Sequence, residues 1–216
     1  MADLLPIIKT CQLEMRVLEL FSGTKSIGNA FERLGYHDIV SVDSDPTYNP
    51  SRLVDVMDWD YTEFAPGDFD FIHASPHCTQ YSQARTRGGP RDFVTADGLV
   101  IKALNIIDYL QPTYWLIENP DGLLKSRPCM SELAPPLMCS YCQYSDWWYR
   151  KNTTLWTNLD LKLKTCDKRC PGFAGGRHPN HAQRTGPQWS GMSNRRDNLY
   201  RIPDALCDEV ARTVVG

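Results

Sequence analysis

Short apolar runs of strand length alternate with stretches of helical periodicity along the first half of the chain. Residues 26–34 and 96–110 place apolar side chains at helical spacing and predict helices. Alternation of strands and helices is typical of a doubly wound, mostly parallel sheet. We therefore expect an α/β, Rossmann-like fold. The predicted strands are residues 16–21, 39–43, 69–74 and 114–118.

The pattern weakens after Pro120. Residues 137–144 and 153–157 predict two more strands, and residues 202–215 predict a closing helix that packs on the sheet. Residues 165–196 contain almost no aliphatic side chains and cannot build a core by themselves. We divide the chain into an N-terminal extension (1–15), a catalytic core (16–157), a basic Cys/His-rich insert (158–198) and a C-terminal helix on the core (199–216).

Composition suits one cytosolic α/β domain. The chain has 216 residues, of which 42% are hydrophobic, enough for a buried core. No apolar run approaches the roughly 20 residues of a membrane span, and residues 1–14 lack the pattern of a signal peptide. In a cytosolic protein, the eight cysteines are thiols or metal ligands rather than disulfides.

The net charge of −3 hides an asymmetry. Residues 1–149 carry 11 basic and 20 acidic side chains, whereas residues 150–201 carry 11 basic and 3 acidic ones. A basic segment beside an acidic half is typical of proteins that bind a polyanion. A solvated surface that keeps the protein in solution would explain the same charges.

Two features at strand ends favour a nucleoside cofactor. Gly23, in the turn after the first strand, lets the backbone approach a ligand closely, and the following helix offers free N–H groups. Asp43 closes the second strand, where nucleoside-binding folds place a carboxylate on the ribose. A purely steric glycine and a solvated aspartate are the alternatives.

A candidate nucleophile lies at the end of the third strand. Cys78 follows Ser75-Pro76, and Glu118 closes the neighbouring predicted strand, so that both side chains can converge on one crevice. The alternatives are an inert small hydrophobe and a structural carboxylate. His77 is poorly placed to activate Cys78, because adjacent residues of an extended segment point to opposite sides.

The order of these motifs resembles that of the DNA cytosine-5 methyltransferases. Residues 21–28 resemble their first motif, with Lys25 at a usual glycine, and residues 75–78 resemble their nucleophile motif, with His77 at a usual proline. Glu118-Asn119 resembles their Glu-Asn-Val motif. The resemblance implies the class I fold of S-adenosylmethionine-dependent enzymes. The cofactor residues that it implies are Phe21, Ser22, Gly23, Thr24, Asp43, Ser44, Asp55, Val56, Ser75 and Pro76.

The resemblance also implies the chemistry. Cys78 would add to carbon 6 of cytosine, Glu118 would bind the exocyclic amine and ring nitrogen 3, and carbon 5 would take the methyl group. The arginine pair of a later family motif is replaced by Asn152 and Thr154, so Arg150 is our third catalytic candidate, with Lys151 beside it. Only about forty residues remain for target recognition.

The basic insert contains a candidate zinc site. Cys142, Cys166, Cys170 and His178 are the preferred ligands, and His181 or Cys139 could replace a member. Unpaired thiols and surface histidines are the alternative. Tryptophans 147, 148 and 189 are candidates for stacking on bases or for the core. The arginines expected to contact nucleic acid are Arg85, Arg87, Arg169, Arg177, Arg184, Arg195 and Arg196.

The leading interpretation is a monomeric enzyme that methylates cytosine in duplex or single-stranded DNA. The same chemistry on RNA or on a free cytidine nucleotide remains open, because neither needs a large recognition domain. An inactive relative that binds nucleic acid also remains open, given the changes at Lys25 and His77. A small solitary enzyme suits a phage and the cytoplasm of its bacterial host, without contact with a membrane.

Overall fold

The computed structural model describes residues 15–85, 88–179 and 200–216. Their strands are β1 (Arg16–Leu20), β2 (Asp38–Asp43), β3 (Arg52–Leu53), β4 (Phe71–Ala74), β5 (Tyr114–Pro120), β6 (Leu137–Ser140) and β7 (Asn152–Thr157). The helices are α1 (Ser26–Arg33), α2 (Phe93–Leu110) and α3 (Asp204–Val215).

These strands form one sheet in the order β3-β2-β1-β4-β5-β7-β6. Strands β1 to β5 pair with one another in parallel, whereas β7 pairs antiparallel with both β5 and β6. Right-handed crossovers through helices connect parallel strands in such sheets. The prediction of a doubly wound, mostly parallel α/β sheet is therefore confirmed.

The sheet is buried on both faces, because successive side chains of each strand point to opposite sides. On β1, Val17 packs with α1 and α3, while Leu18 packs with α2 on the other face. Val17 and Leu18 are both fully buried. Near-continuous apolar strands follow from this double burial, and they made the central strands visible in the sequence.

Several boundaries differ from the sequence prediction, and β3 was not predicted. Helix α2 begins at Phe93 instead of residue 96, because the Asp92 side chain caps it by accepting the Thr95 N–H at 3.1 Å. Strand β6 ends at Ser140 instead of residue 144, since its partner β7 begins at Asn152, opposite Ser140. A 3-10 turn, Tyr141–Gln143, follows. Strand β3 has two residues, too few for a periodic pattern.

The parallel strands direct their carboxyl ends to one edge of the sheet, where ligands bind in open α/β folds. The predicted motifs after β1, β2, β4 and β5 all lie at this edge. In the described part of the chain, no helix combines the length and apolar character needed to cross a bilayer. The division at residues 15, 157 and 198 stays a prediction.

Candidate active site and Cys/His cluster

The loop between β1 and α1 is tied to the end of β2. The Gly23 N–H donates to Asp43 Oδ2 at 2.8 Å, and the Ser22 N–H donates to the Val42 carbonyl at 3.1 Å. The other carboxylate oxygen of Asp43 accepts the Asp45 N–H at 2.8 Å. The predicted glycine turn and the predicted acid therefore meet at one place, with Asp43 fixed in orientation.

The other predicted cofactor residues lie around the same edge, in the loops after β1, β2, β3 and β4. Ser22 is buried, and its Oγ has no hydrogen-bond partner among the described residues. Val56 is buried, and the Asp55 carboxylate accepts the Met57 N–H at 2.9 Å. Ser44 is exposed. The predicted cofactor residues around this edge, apart from Gly23 and Asp43, are Phe21, Ser22, Thr24, Ser44, Asp55, Val56, Ser75 and Pro76.

Lys25 stands where the motif that residues 21–28 resemble usually has a glycine. Its backbone conformation is one that glycine adopts easily. Its φ is 55° and its ψ is 40°, the left-handed region that favours glycine. The Lys25 Nζ donates to the Asn49 carbonyl at 2.5 Å, across the mouth of the turn. The chain thus keeps the turn geometry with a lysine in place of the glycine.

Cys78 lies in a tight loop after β4. Its carbonyl accepts the N–H groups of Tyr81 at 3.0 Å and Ser82 at 2.8 Å. The Asn119 side chain on β5 donates to the Pro76 carbonyl at 2.9 Å, so the loop is anchored to the neighbouring strand. His77 is exposed, and its ring centroid lies 6.1 Å from that of Phe21, toward the cofactor turn.

Glu118 on β5 is buried and accepts three hydrogen bonds. Its Oε1 accepts the Tyr141 hydroxyl at 2.8 Å and the Lys151 ammonium at 3.3 Å. Its Oε2 accepts the Ser75 hydroxyl at 3.1 Å. Groups from three separate segments therefore hold this carboxyl group in place, as a recognition group requires.

Lys151, rather than Arg150, reaches Glu118. The Lys151 side chain is 10% exposed and forms an ion pair with Glu118, whereas Arg150 is exposed and lines the adjoining cavity. Asn152 and Thr154, at the positions of the family's arginine pair, bind the Ser140 hydroxyl and the Asn119 carbonyl respectively. The structure therefore places the buried cation of Lys151 beside the Glu118 carboxyl group.

The electrostatics at Cys78 combine opposing effects. Burial raises the pKa of the Cys78 thiol, the Lys151 charge lowers it, and the Glu118 charge raises it, with a net increase above the ordinary value. Burial lowers the pKa of Lys151, but the charges of Glu118 and Cys78 outweigh this effect and raise it. Lys151 is therefore charged at neutral pH, and its charge favours the thiolate form of Cys78.

A chain of buried polar side chains, which the sequence analysis did not predict, extends from Ser75 to the start of α1. His73 Nε2 lies 3.2 Å from the Ser75 hydroxyl, and His73 Nδ1 lies 3.7 Å from Glu19 Oε1. Glu19 in turn accepts the N–H groups of Ile27 and Gly28 at the start of α1. Alternation within β1 and β4 gave no signal, because both strands are buried on both faces.

Gly122 permits the close approach that shapes the Cys78 loop. A Cβ on Gly122 would lie 2.5 Å from the backbone oxygen of Tyr81, which also accepts the Leu123 N–H at 3.0 Å. We expect Gly122→Ala to lower the free energy of unfolding by about 2 kcal/mol and to change the rate at which iodoacetamide alkylates Cys78. Denaturant unfolding and mass spectrometry measure the two effects.

Gly98→Ala is the matched control, because a Cβ at this α2 position would meet no described atom within 4 Å. A helical Gly→Ala change is expected to stabilise by up to about 1 kcal/mol. Equal stability and equal alkylation rates for Gly122→Ala and the unchanged protein would contradict the steric account.

A cavity of about 620 Å³ opens beside Cys78. Its wall includes Arg85, Tyr149, Arg150, Lys151 and Tyr200, so it combines positive charge with aromatic surface. Its described lining is Cys78, Thr79, Ser82, Gln83, Ala84, Arg85, Pro120, Asp121, Tyr149, Arg150, Lys151, Asn152 and Tyr200.

The other predicted nucleic-acid residues are outside the cavity lining or outside the described residues. Arg169 and Arg177 are exposed on the segment after β7. Trp148 packs against Gly172, and the Arg201 guanidinium lies 5.4 Å from the Trp147 ring. The predictions at Arg87, Arg184, Arg195, Arg196, Trp189 and His181 fall outside the described residues.

The four preferred metal ligands come together behind the wall of the Cys78 cavity. The ligand atoms of Cys142, Cys166, Cys170 and His178 all lie within 4.8 Å of one another. Cys139, the proposed substitute, lies on β6 and is buried in the core, close enough to Glu118 for that charge to raise the pKa of its thiol. Burial and the charge of Arg150 lower the pKa of His178, so Arg150 is within electrostatic reach of the cluster.

Comparison with curated proteins places the chain in a family. The sequence pattern of the C-5 cytosine-specific DNA methylases matches residues 15–132. A protein of Frog virus 3 (isolate Goorha), described as a "Probable DNA (cytosine-5)-methyltransferase", is 37% identical over 219 residues, which cover 91% of this chain and 98% of that protein. The type II methyltransferase M.FnuDI of Fusobacterium nucleatum is 29% identical over 120 residues, 52% of this chain and 34% of its own length.

Solved structures share the fold. A protein described as a DNA modification methyltransferase encoded within a prophage (E. coli) superposes with a TM-score of 0.50 over 68% of this chain and 49% of its own, at 18% identity. The chain thus spans about half the length of that protein, and at this identity the likeness shows the fold alone. From the sequence match over most of its length, the chain belongs to the C-5 cytosine-specific DNA methylases, the enzyme family that its motifs predicted.

Proposed function

We propose that the chain transfers a methyl group from S-adenosylmethionine to carbon 5 of cytosine in DNA, through a covalent bond between Cys78 and carbon 6. One observation carries the proposal: Cys78 and Glu118, at the ends of neighbouring parallel strands, lie beside the same buried cation, Lys151. A thiol, a carboxyl group and a fixed positive charge at one cavity suit nucleophilic addition to a ring that gains negative charge.

The residues at the edge of β1 and β2 fit a bound S-adenosylmethionine. The Ser22 hydroxyl is buried without a partner among the described residues, so a ligand can satisfy it. Asp43 is fixed by two backbone N–H groups and retains lone pairs for ribose hydroxyls. When bound, the cofactor supplies an electrophilic methyl group. Phe21, Gly23 and their neighbours would orient it toward Cys78.

The reaction proceeds by addition and elimination at the cytosine ring. The Cys78 thiolate forms a bond to carbon 6, and the electron pair of the 5,6 double bond makes carbon 5 nucleophilic. After carbon 5 takes the methyl group, a base removes the carbon 5 proton. The double bond then re-forms and the Cys78 sulfur leaves, so the enzyme is regenerated.

Glu118, Tyr141 and Lys151 act on the ring while carbon 6 is bonded to sulfur. In its protonated form, the Glu118 carboxyl group would donate its proton to nitrogen 3 and accept from the exocyclic amine, so that the donated proton offsets the negative charge that the ring gains on addition. The Tyr141 hydroxyl stays a donor to Glu118, because burial and the Glu118 charge raise its pKa well above the ordinary value. The Lys151 ammonium offsets the developing negative charge.

DNA is the substrate that the family membership supports best. A base in duplex DNA must be turned out of the stack to reach Cys78, and the cavity beside Cys78 with Arg85 and Arg150 in its wall can accept it. The viral relative is described as a DNA methyltransferase and is matched over 98% of its length, so this description is not restricted to proteins with a large additional domain. It also supports a viral origin. The monomeric state, the cytoplasmic location and Arg150 as a contributor to catalysis stay part of this proposal.

A substrate panel tests this proposal. The full chain is incubated with S-adenosylmethionine labelled in its methyl group and, separately, with duplex DNA, single-stranded DNA, RNA and cytidine nucleotides. We expect label in DNA, recovered as 5-methylcytosine. Transfer to RNA or nucleotides alone would support the proposed reaction but refute DNA as its substrate. No transfer to any substrate would favour an inactive relative.

A further inference from the structure

Four potential metal ligands converge from two parts of the chain that are far apart in sequence. Cys142 lies on the 3-10 turn after β6, and Cys166, Cys170 and His178 lie on the segment after β7. The Cys166 and Cys170 sulfurs are 3.7 Å apart, and His178 Nε2 lies 3.5 Å from the Cys166 sulfur and 3.0 Å from the Cys170 sulfur.

These distances are close to the edges of a zinc tetrahedron. With zinc–sulfur bonds of about 2.3 Å and zinc–nitrogen bonds of about 2.0–2.1 Å, tetrahedral ligands lie about 3.8 Å (sulfur to sulfur) and about 3.5 Å (sulfur to nitrogen) apart. The three observed separations are 3.7, 3.5 and 3.0 Å. One imidazole and three thiols complete a four-ligand set without a position for water, as in structural zinc sites.

The surroundings support thiolate ligands. The Lys168 N–H donates to the Cys166 sulfur at 3.3 Å, and the Gly172 N–H donates to the Cys170 sulfur, each from two residues further along the chain. Donors of this kind orient metal-bound sulfur and offset its negative charge. Cys142, Cys170 and His178 are buried, whereas residues 164–179 contain no leucine, isoleucine, valine or methionine to form a core.

Two contacts and one pair of adjacent residues link the cluster to the part of the chain around the Cys78 cavity. Trp148 packs so closely on Gly172 that a Cβ there would lie 2.4 Å from its ring. The Cys166 N–H donates to the Ser140 hydroxyl at 3.0 Å. Cys142 directly follows Tyr141, the residue that donates to Glu118. The segment that carries the cluster therefore packs behind the residues that line the Cys78 cavity.

We propose that Cys142, Cys166, Cys170 and His178 bind one structural zinc ion, and that this ion holds the segment after β7 against Trp148 and thereby orders the cavity wall at residues 149–151. The assignment of the metal is independent of the proposed methyl transfer. Metal binding supplies the order that an insert without aliphatic residues cannot supply by itself.

Metal content tests the site directly. The full chain, purified without chelators or a histidine tag, is expected to contain one equivalent of zinc by inductively coupled plasma mass spectrometry. An organomercurial reagent is expected to release that zinc, and cobalt substitution is expected to give thiolate charge-transfer absorption. Less than half an equivalent of zinc after growth in zinc-supplemented medium would overturn the proposal, as would a disulfide between any two of the three cysteines.

Variants separate the four ligands from other cysteines. Cys166→Ser and His178→Ala are expected to lower the bound zinc at least fivefold, whereas Cys129→Ser, on the turn Pro128–Met130, is expected to retain it. Retention of a full equivalent by both ligand variants would refute the ligand set. If the ligand variants do not fold, the zinc content of the unchanged chain still decides the question.

Hydrogen exchange tests the coupling to the wall. Removing zinc from the intact protein with a chelator is expected to speed amide exchange at residues 141–152 at least tenfold and to leave β1 and α2 unaffected. Unchanged exchange at residues 141–152 in zinc-free protein would refute the structural role of the ion. None of these experiments measures enzymatic activity. Failure of the methyl-transfer proposal would therefore not be confused with failure of the zinc proposal.

Discussion

Replacing Cys78 with serine is expected to lower the rate of methyl transfer by at least about 10³-fold, because a neutral hydroxyl is a far weaker nucleophile than a thiolate. The fold should be retained, since Cys78 is held through its backbone carbonyl by Tyr81 and Ser82, and serine keeps that carbonyl. Transfer of labelled methyl groups to DNA, measured in a single turnover, gives the rate.

Cys129→Ser is the matched control. Cys129 is a half-buried thiol on a 3-10 turn near Arg127 and Asp97, outside the Cys78 loop. We expect this variant to keep the rate of the unchanged protein within about twofold. Activity of Cys78→Ser at a similar level would show that the nucleophile lies elsewhere.

Lys151→Gln is expected to lower the single-turnover rate by about 10²-fold and to shift its pH dependence upward. The sign follows from the pKa of Cys78. The Lys151 charge lowers the pKa of the Cys78 thiol, which burial has raised, so removing this charge raises it again. Because the thiolate is the reactive form, the rate rises with pH as Cys78 deprotonates. The variant should reach half of its maximal rate at a higher pH than the unchanged protein.

Two further variants distinguish this role from a structural one. Lys151→Arg retains a positive charge and should restore most of the rate and the original pH profile. Lys162→Gln removes an exposed lysine after β7 and should change neither. A lower rate for Lys151→Gln with an unshifted pH profile would mean that Lys151 only supports packing, and that its charge does not act on Cys78.

The sequence predicted the parts of the site that lie at strand ends. Cys78 and Glu118 each follow or close a short apolar run, and parallel pairing of β4 with β5 brings those ends together. The cluster of Cys142, Cys166, Cys170 and His178 was predictable from residue type, since these side chains are suited to zinc and few aliphatic residues surround them. In both cases the chemical type of the residue and its place in the pattern agreed.

The rest of the site could not be predicted from the sequence, because it depends on the direction in which individual side chains point. Arg150 and Lys151 are adjacent before β7, and residue type alone favours the arginine, yet the side chain that turns inward to Glu118 is that of Lys151. Tyr141 was expected within a strand, but β6 ends one residue earlier and Tyr141 sits on a turn that aims its hydroxyl at Glu118. Both outcomes depend on where the β6–β7 ladder stops, which a short sequence pattern does not specify.

The proposed covalent bond between Cys78 and cytosine is tested directly by trapping it. Cytosine with fluorine at carbon 5 accepts the thiolate and the methyl group, but fluorine cannot leave as a proton does, so elimination is blocked. DNA that contains 5-fluorocytosine is incubated with the protein and S-adenosylmethionine, and denaturing electrophoresis with peptide mass spectrometry follows. The account predicts a denaturation-resistant complex in which the peptide that contains Cys78 carries a methylated fluorocytosine. A complex attached at another residue, or unmodified Cys78 in protein that nevertheless methylates ordinary DNA, would contradict it.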